Sequence, residues 1–377
     1  MENIPTIVTM IYDIRKREIK DKRNRTALEY IDLATKFILK LPYPIVIFLE
    51  DEEIGKEIFK FRESLGLGLQ LQFKTQIMNI KFEETYYFQY INKVNDLQKT
   101  FKIYNSELNH ETPAYITLTN NKFFFMEQAI QLDPFESSRF IWLDFGINHV
   151  ADDLDRIHEW ILQVPDKIKQ LCINPLTENN AFKEIFQNIY HHTAGGLFSG
   201  SKENILLYSE LFRKKTVQIY NEEWYQLEEA VMTMIQKENP ELFEFYYGDY
   251  KGIVSNYLTP VNNIDLILRG SQKYLDSGNT REAFNVLMYC LPFFEKNFYS
   301  NYIYTYLQQH IVADYYCNEG RILPSVIYLI NRKILEKEKE KERENNNDDI
   351  IHIQHLLTNN HQNLQYYKNR TQILSYL

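Results

Sequence analysis

Apolar positions along the first half of the chain follow two alternating rhythms: short continuous runs, and stretches where they recur every three or four residues. Thr6 to Tyr12 (TIVTMIY) is a β-branched run that predicts a strand, ended by Asp13 and a charged stretch from Arg15 to Arg25. Ala27 to Leu39 puts Leu28, Ile31, Ala34, Phe37 and Ile38 at helical spacing, and Pro42 and Pro44 stop it. Ile45 to Leu49 (IVIFL) reads as a buried strand, Glu52 to Ser64 as a helix, and Lys74 to Phe82 as a third strand. A helix over Asn121–Gln131 then leads through Asp133-Pro134-Phe135 into a strand at Arg139–Leu143. Continuous apolar strands separated by helices predict a mostly parallel sheet covered on both faces. Open sheets of this kind bind ligands beyond the carboxyl ends of their strands, which singles out Tyr12-Asp13, Glu50-Asp51 and Asp144.

Further on, His191 to Gly200 (HHTAGGLFSG) reads as a glycine-rich turn before a helix at Ser201–Phe212. Asn221 to Lys237 reads as one helix with Trp224, Leu227, Val231, Met234 and Ile235 on its apolar face. After Pro260 the texture changes to successive helices at 264–275, 280–295, 299–317 and 322–340, with joints (SGNTREA, NEGRILP) like those of tetratricopeptide hairpins. The expected organisation is an α/β domain over 1–262, a helical region over 263–335, and a charged linker with a terminal segment over 336–377.

Composition narrows the class. A chain of 377 residues has room for two domains, and 44% hydrophobic residues can fill a core. A net charge of −9 argues against a nucleic-acid partner, whose phosphates need concentrated Lys and Arg. Three scattered cysteines (Cys172, Cys290, Cys317) form neither a disulfide framework nor a metal pattern, which fits a reducing compartment. There is no signal-peptide pattern at the start and no run of eighteen apolar residues, so the expectation is a soluble cytoplasmic protein without a membrane span. With 28 Tyr and 24 Phe, no single aromatic residue, including those of Tyr246–Tyr257, marks a site by itself.

Three segments could carry chemistry. Phe140 to His149 (FIWLDFGINH) delivers one carboxylate, Asp144, to a strand end, with Gly146 two residues later. That placement suits a hard cation and, through it, a phosphate; it equally suits a turn or helix cap. The 191–200 glycines either present backbone N–H groups to an anion or make a tight connection. Glu228 lies at the edge of its helix's apolar stripe, where a carboxylate serves as a base or pairs with a buried cation.

Taken in order, these segments resemble the HtrL/YibB-like family of expected glycosyltransferases with the GT-A nucleotide-sugar fold. The matching features are Thr9, Tyr12-Asp13 and Arg15; the Lys122 helix; Asp133-Pro134-Phe135; and Trp142-Leu143-Asp144-Phe145-Gly146. The Gly195–Gly200 loop follows, and then Glu228-Glu229 with Asn239-Pro240-Glu241-Leu242-Phe243. The resemblance spans residues 5 to 257. It implies a Rossmann-like GT-A domain before the helical tail, and transfer of a hexose from a UDP-sugar to the hydroxyl of a glycan, protein or lipid-linked acceptor. It places Thr9, Tyr12, Asp13, Arg15 and Lys122 on the nucleotide, Gly195 and Gly196 at the donor sugar or acceptor, and Glu228 or Glu229 as the catalytic group on the acceptor side. Asp144 would bind Mn²⁺ or Mg²⁺. The usual Asp-x-Asp pair is Asp-Phe-Gly here, so either Asp249 or His149 would supply the second ligand or the metal would be bound weakly. The missing carboxylate and the hairpin-like tail also fit a rival reading, a non-catalytic interaction protein on a degenerate transferase domain; a phosphohydrolase would need more clustered carboxylates and histidines. The tail is expected to bind acceptor or to pair two copies of the chain.

Overall fold

The computed structural model describes residues 4–14, 26–67, 75–104, 111–174 and 181–261, with scattered positions between 267 and 290. The chain divides into one unit over Met1–Ile267 and another over Leu268–Leu377. The expected helical region and charged linker lie outside the described residues apart from those scattered positions, as does Arg15.

Seven strands form one sheet in the order β3-β2-β1-β4-β6-β5-β7. They are β1 (Thr6–Ile11), β2 (Ile45–Leu49), β3 (Thr75–Asn79), β4 (Arg139–Leu143), β5 (Ile168–Cys172), β6 (Thr193–Ser201) and β7 (Phe243–Tyr247). All pairs are parallel except those of β6, which runs antiparallel to both β4 and β5. Eight helices of the described residues connect them: α1 (Ala27–Lys36), α2 (Glu52–Ser64), α3 (Ile91–Thr100), α4 (Pro113–Leu132), α5 (Ile157–Trp160), α6 (Phe182–Gln187), α7 (Lys202–Asn221) and α8 (Glu228–Glu238). The α/β class and the predominantly parallel sheet are as expected. No helix of the described residues is long and apolar enough to cross a membrane.

Local chemistry sets where the helices begin. Thr26 caps α1 by accepting from the Glu29 N–H at 3.2 Å, while the Glu29 carboxylate accepts from the Thr26 N–H, a reciprocal capping box. Asp51 caps α2 by accepting from Glu53 and Ile54 at 3.1 and 3.3 Å, so this strand-end carboxylate has a structural task. Thr112 caps α4 with Pro113 in the first turn, and the helix starts there rather than at Asn121. Two corrections bear on the site. The glycine-rich segment is the buried strand β6, not a turn. The helix expected over Asn221–Lys237 begins only at Glu228: α7 ends at Asn221, and Glu223 takes a left-handed φ of 62° in the break before α8.

One sheet face carries Val8, Val46, Phe48, Phe140, Trp142 and Phe198 against Phe123, Phe125, Met126 and Ala129 of α4 and Tyr208 and Phe212 of α7. Phe123 stacks on Phe212 with ring centroids 3.9 Å apart. At the far edge, the fully buried Arg62 of α2 donates to Thr75 Oγ1 (2.6 Å) and to the carbonyls of Leu39, Leu41 and Tyr43 (3.1 Å each). Burial lowers its pKa to about 10. A lysine cannot reproduce this fork with one nitrogen. Arg62→Lys should lower stability by about 2–3 kcal/mol through unmade buried hydrogen bonds. That amounts to a fall of about 4–6 °C in melting temperature for this size of domain; a variant melting like the native chain would contradict it.

Candidate functional site

The strand order reverses direction at β1: the chain builds outward through β2 and β3, then returns to lay β4 on the other side of β1. Crevices at such switch points open beyond the carboxyl ends of the two strands. Here those ends carry Tyr12 and Asp13 after β1 and Asp144 after β4. Because β6 is antiparallel, its first residues, Thr193 to Gly196, come to the same end, and the Asp144 N–H donates to the Gly196 carbonyl at 2.9 Å.

A charge cluster is built around Lys122, which α4 carries into the interior. Its Nζ lies 2.8 Å from Glu228 Oε1, 3.1 and 3.2 Å from the two Asp144 oxygens, and 2.9 Å from the Gly195 carbonyl oxygen. Burial alone would push the lysine's pKa down, but Asp144 and Glu228 outweigh it and the net shift is upward. A lysine raised on folding adds stability that is full below its unfolded pKa and is lost only as pH rises through the higher folded value, so the ammonium holds its charge across the neutral range. Asp144 is also fixed by Trp142, whose Nε1–H donates to Oδ1 at 2.7 Å. The side chains of Lys122 and Glu228 are 5% and 6% exposed, that of Asp144 38%, so Asp144 is the member of the three that solvent reaches.

The two glutamates open α8, where the helix dipole favours negative charge. They grip the Gly195 peptide from both sides: Glu228 meets the lysine that binds its carbonyl, and Glu229 Oε1 accepts its N–H at 2.8 Å. A Cβ at position 195 would lie 2.6 Å from Glu228 Oε1, so a larger residue there would push Glu228 off Lys122. Beside it, Glu229 accepts from the Tyr250 hydroxyl at 2.8 Å, and its Oε2 is 3.0 Å from His191 Nδ1. Burial, and then Glu229, push the Tyr250 phenol pKa up. The hydrogen bond to Glu229 raises His191 above the ordinary imidazole range. The His191 contribution to stability is therefore full at low pH and fades as pH rises through that raised value.

The structure brings together Lys122, Asp144, Gly195, Gly196, Glu228 and Glu229. Of the other described residues expected here, Tyr12 and Asp13 share the carboxyl end of the sheet with Asp144, and most have tasks of their own. Thr9 is fully buried in mid-strand, with its hydroxyl lacking a hydrogen-bond partner, so it is no surface contact for a nucleotide. The Tyr12 ring packs against Phe125 and Phe82 and its hydroxyl donates to the Ile80 carbonyl at 2.8 Å. Asp13 is half-buried at the mouth. Lys122 directs its charge to protein carboxylates rather than outward. Gly146 makes room for the Tyr30 ring, which would lie 2.7 Å from a Cβ there, rather than for a phosphate. His149 is exposed, with Nδ1 against the Gly146 carbonyl, and Asp249 Oδ1 caps a turn by accepting from Gly252 at 3.2 Å. Among the described residues no three His, Cys, Asp or Glu side chains gather to hold a metal ion, so Asp144, Asp249 and His149 form no such trio. Nothing in sequence spacing links His191 or Tyr250 to Glu229.

The chain matches the family described as "Bacterial protein of unknown function (HtrL_YibB)" over residues 3–256. No curated protein matches it. Among solved structures it is similar to mouse xyloside xylosyltransferase 1 in its apo form, at 13% identity and a TM-score of 0.34, over 64% of this chain and 84% of that one.

Proposed function

The chain belongs to the HtrL_YibB family, and from that premise we propose that it is a glycosyltransferase moving a hexose from a UDP-sugar to a hydroxyl acceptor. The observation that carries this reading is Asp144: a half-exposed carboxylate at the carboxyl end of β4, beside the switch point, held by Trp142 and backed by a buried Lys122–Glu228 pair. Such a site is built to present one negative charge in a fixed direction at the place where open α/β sheets bind nucleotides.

One carboxylate is a sparse donor set for a resident ion. It fits Mg²⁺ or Mn²⁺ shared with the donor, because these ions accept one or two carboxylates and complete their shell with substrate phosphates and water. Bound in that way, the ion would supply the charge that neutralises the leaving diphosphate. Asp144 would hold it, and Lys122 keeps Asp144 and Glu228 from repelling each other across the Gly195–Gly196 backbone. The glutamates at the start of α8 lie on the acceptor side.

Cation and nucleotide should therefore bind interdependently. Mn²⁺ alone, or UDP alone, should leave the melting temperature near that of the free chain. Both together at about 100 times their joint dissociation constant should stabilise by about 2.7 kcal/mol. An equal rise with Mn²⁺ alone would point to a resident ion; no rise with any pairing of UDP or GDP with Mn²⁺ or Mg²⁺ would count against the reading.

A further inference from the structure

His191 plays no part in the charge cluster around Lys122, yet it is held with unusual definition. Its backbone is left-handed, with φ of 45°, a conformation that costs a non-glycine residue free energy and persists where its surroundings enforce it. Asn174 enforces it: its Nδ2 donates to the carbonyls of Tyr190 (2.6 Å) and His191 (3.2 Å), while the His192 carbonyl accepts from the Ile173 N–H at 2.8 Å. The ring is fixed as well, with Nδ1 3.0 Å from Glu229 Oε2 and 2.9 Å from the Tyr250 hydroxyl.

A carboxylate only accepts hydrogen bonds, so Nδ1 carries the proton and the Nε2 lone pair is free to accept another. The Tyr250 hydroxyl is satisfied by donating to Glu229. Among the described residues no protein atom bonds Nε2, and the His191 side chain is 43% exposed. Glu229 is itself anchored to the Gly195 N–H, so the imidazole is referenced to the same backbone that positions Lys122 and Asp144. An oriented carboxylate, an imidazole locked in one tautomer and an outward lone pair are the parts of a general base.

We propose that His191 is the catalytic base of the transferase, with Glu229 and Tyr250 as positioning residues. This rests on the transferase reading above. In the step, the acceptor hydroxyl gives its proton to Nε2 as its oxygen bonds to the anomeric carbon. The bond from that carbon to the diphosphate oxygen breaks, and its electron pair leaves with the nucleotide. A single displacement of this kind inverts the anomeric centre. The charged and titratable groups facing the imidazole are Glu229 and Glu228 of α8, Tyr250 after β7, and Glu111 ahead of α4.

The test uses the full chain with UDP-hexoses and Mn²⁺, with water as the acceptor and UDP release as the readout. His191→Asn preserves the left-handed backbone, which Asn tolerates. Release should fall by about 10²–10⁴-fold, the range of general-base catalysis, and lose the rising acidic limb of its pH profile. The melting rise with UDP and Mn²⁺ should remain. Glu229→Gln should move that limb to lower pH. Independently of turnover, ¹⁵N NMR of the native imidazole should show the Nδ1–H tautomer. Unchanged release and limb in His191→Asn, or an Nε2–H tautomer, would overturn the proposal while leaving the transferase standing. Absence of both release and the melting rise in the native chain would instead end the transferase reading, and the base with it.

Discussion

Lys122→Met should be among the most destabilising single substitutions in the chain. It removes the ammonium that sits 2.8 Å from Glu228 and leaves that carboxylate, 6% exposed, without a counter-charge. It also leaves the Gly195 carbonyl without its lysine donor. Breaking a buried pair from one side costs about 3–5 kcal/mol, whereas removing both charges together is close to neutral. The double variant Lys122→Met with Glu228→Gln should therefore recover most of the lost stability. A cycle of urea unfolding on the native chain, both single variants and the double gives the coupling directly. Additive losses would show that the pair carries no such interaction. The pair is thus no argument for stability in itself; its place in the fold is to hold Asp144 and the Gly195 peptide in a set geometry.

Asp144→Asn is expected to have the largest effect on turnover. Asparagine keeps an oxygen for the Trp142 Nε1–H and a similar volume, so the strand end should keep its shape. It removes the charge on which cation binding depends in this account. Loss of a transition-state charge contact of this kind is worth about 10²–10³-fold, so UDP release should fall by at least that factor. The joint melting rise with UDP and Mn²⁺ should also disappear. The variant should melt within about 1 kcal/mol of the native chain, since Asp144 is half-exposed and screened by water. A variant that keeps its release rate would remove Asp144 from the mechanism.

The parallel core was readable because β1, β2 and β4 are continuous apolar runs, a pattern that comes from burial on both faces. Strand β6 was not, because Gly195, Gly196, Ser199 and Gly200 look like loop residues. They lie in a strand because helix α8 and Lys122 press against the backbone, leaving no room for a side chain at Gly195. Strand β5 was hidden by Lys169 and Gln170, whose polar ends find partners in Glu244, Tyr208 and the Ala194 carbonyl. At the site, Asp144 could be found from its position at a strand end, and Glu228 from its conflict with an apolar stripe. The partner that resolves that conflict, Lys122, lies on another helix more than a hundred residues earlier, which periodicity cannot reveal. The contact of His191 with Glu229 and Tyr250 likewise depends on a left-handed turn that the sequence does not mark.

The most direct measurement is nucleotide release from a panel of UDP- and GDP-sugars with Mn²⁺ or Mg²⁺, comparing the native chain with Asp144→Asn. Release is expected from a UDP-sugar, should require the cation, and should be lost in a variant that still melts like the native chain. No release from any donor, with no thermal response to any nucleotide, would contradict this and favour a non-catalytic binding role for this fold.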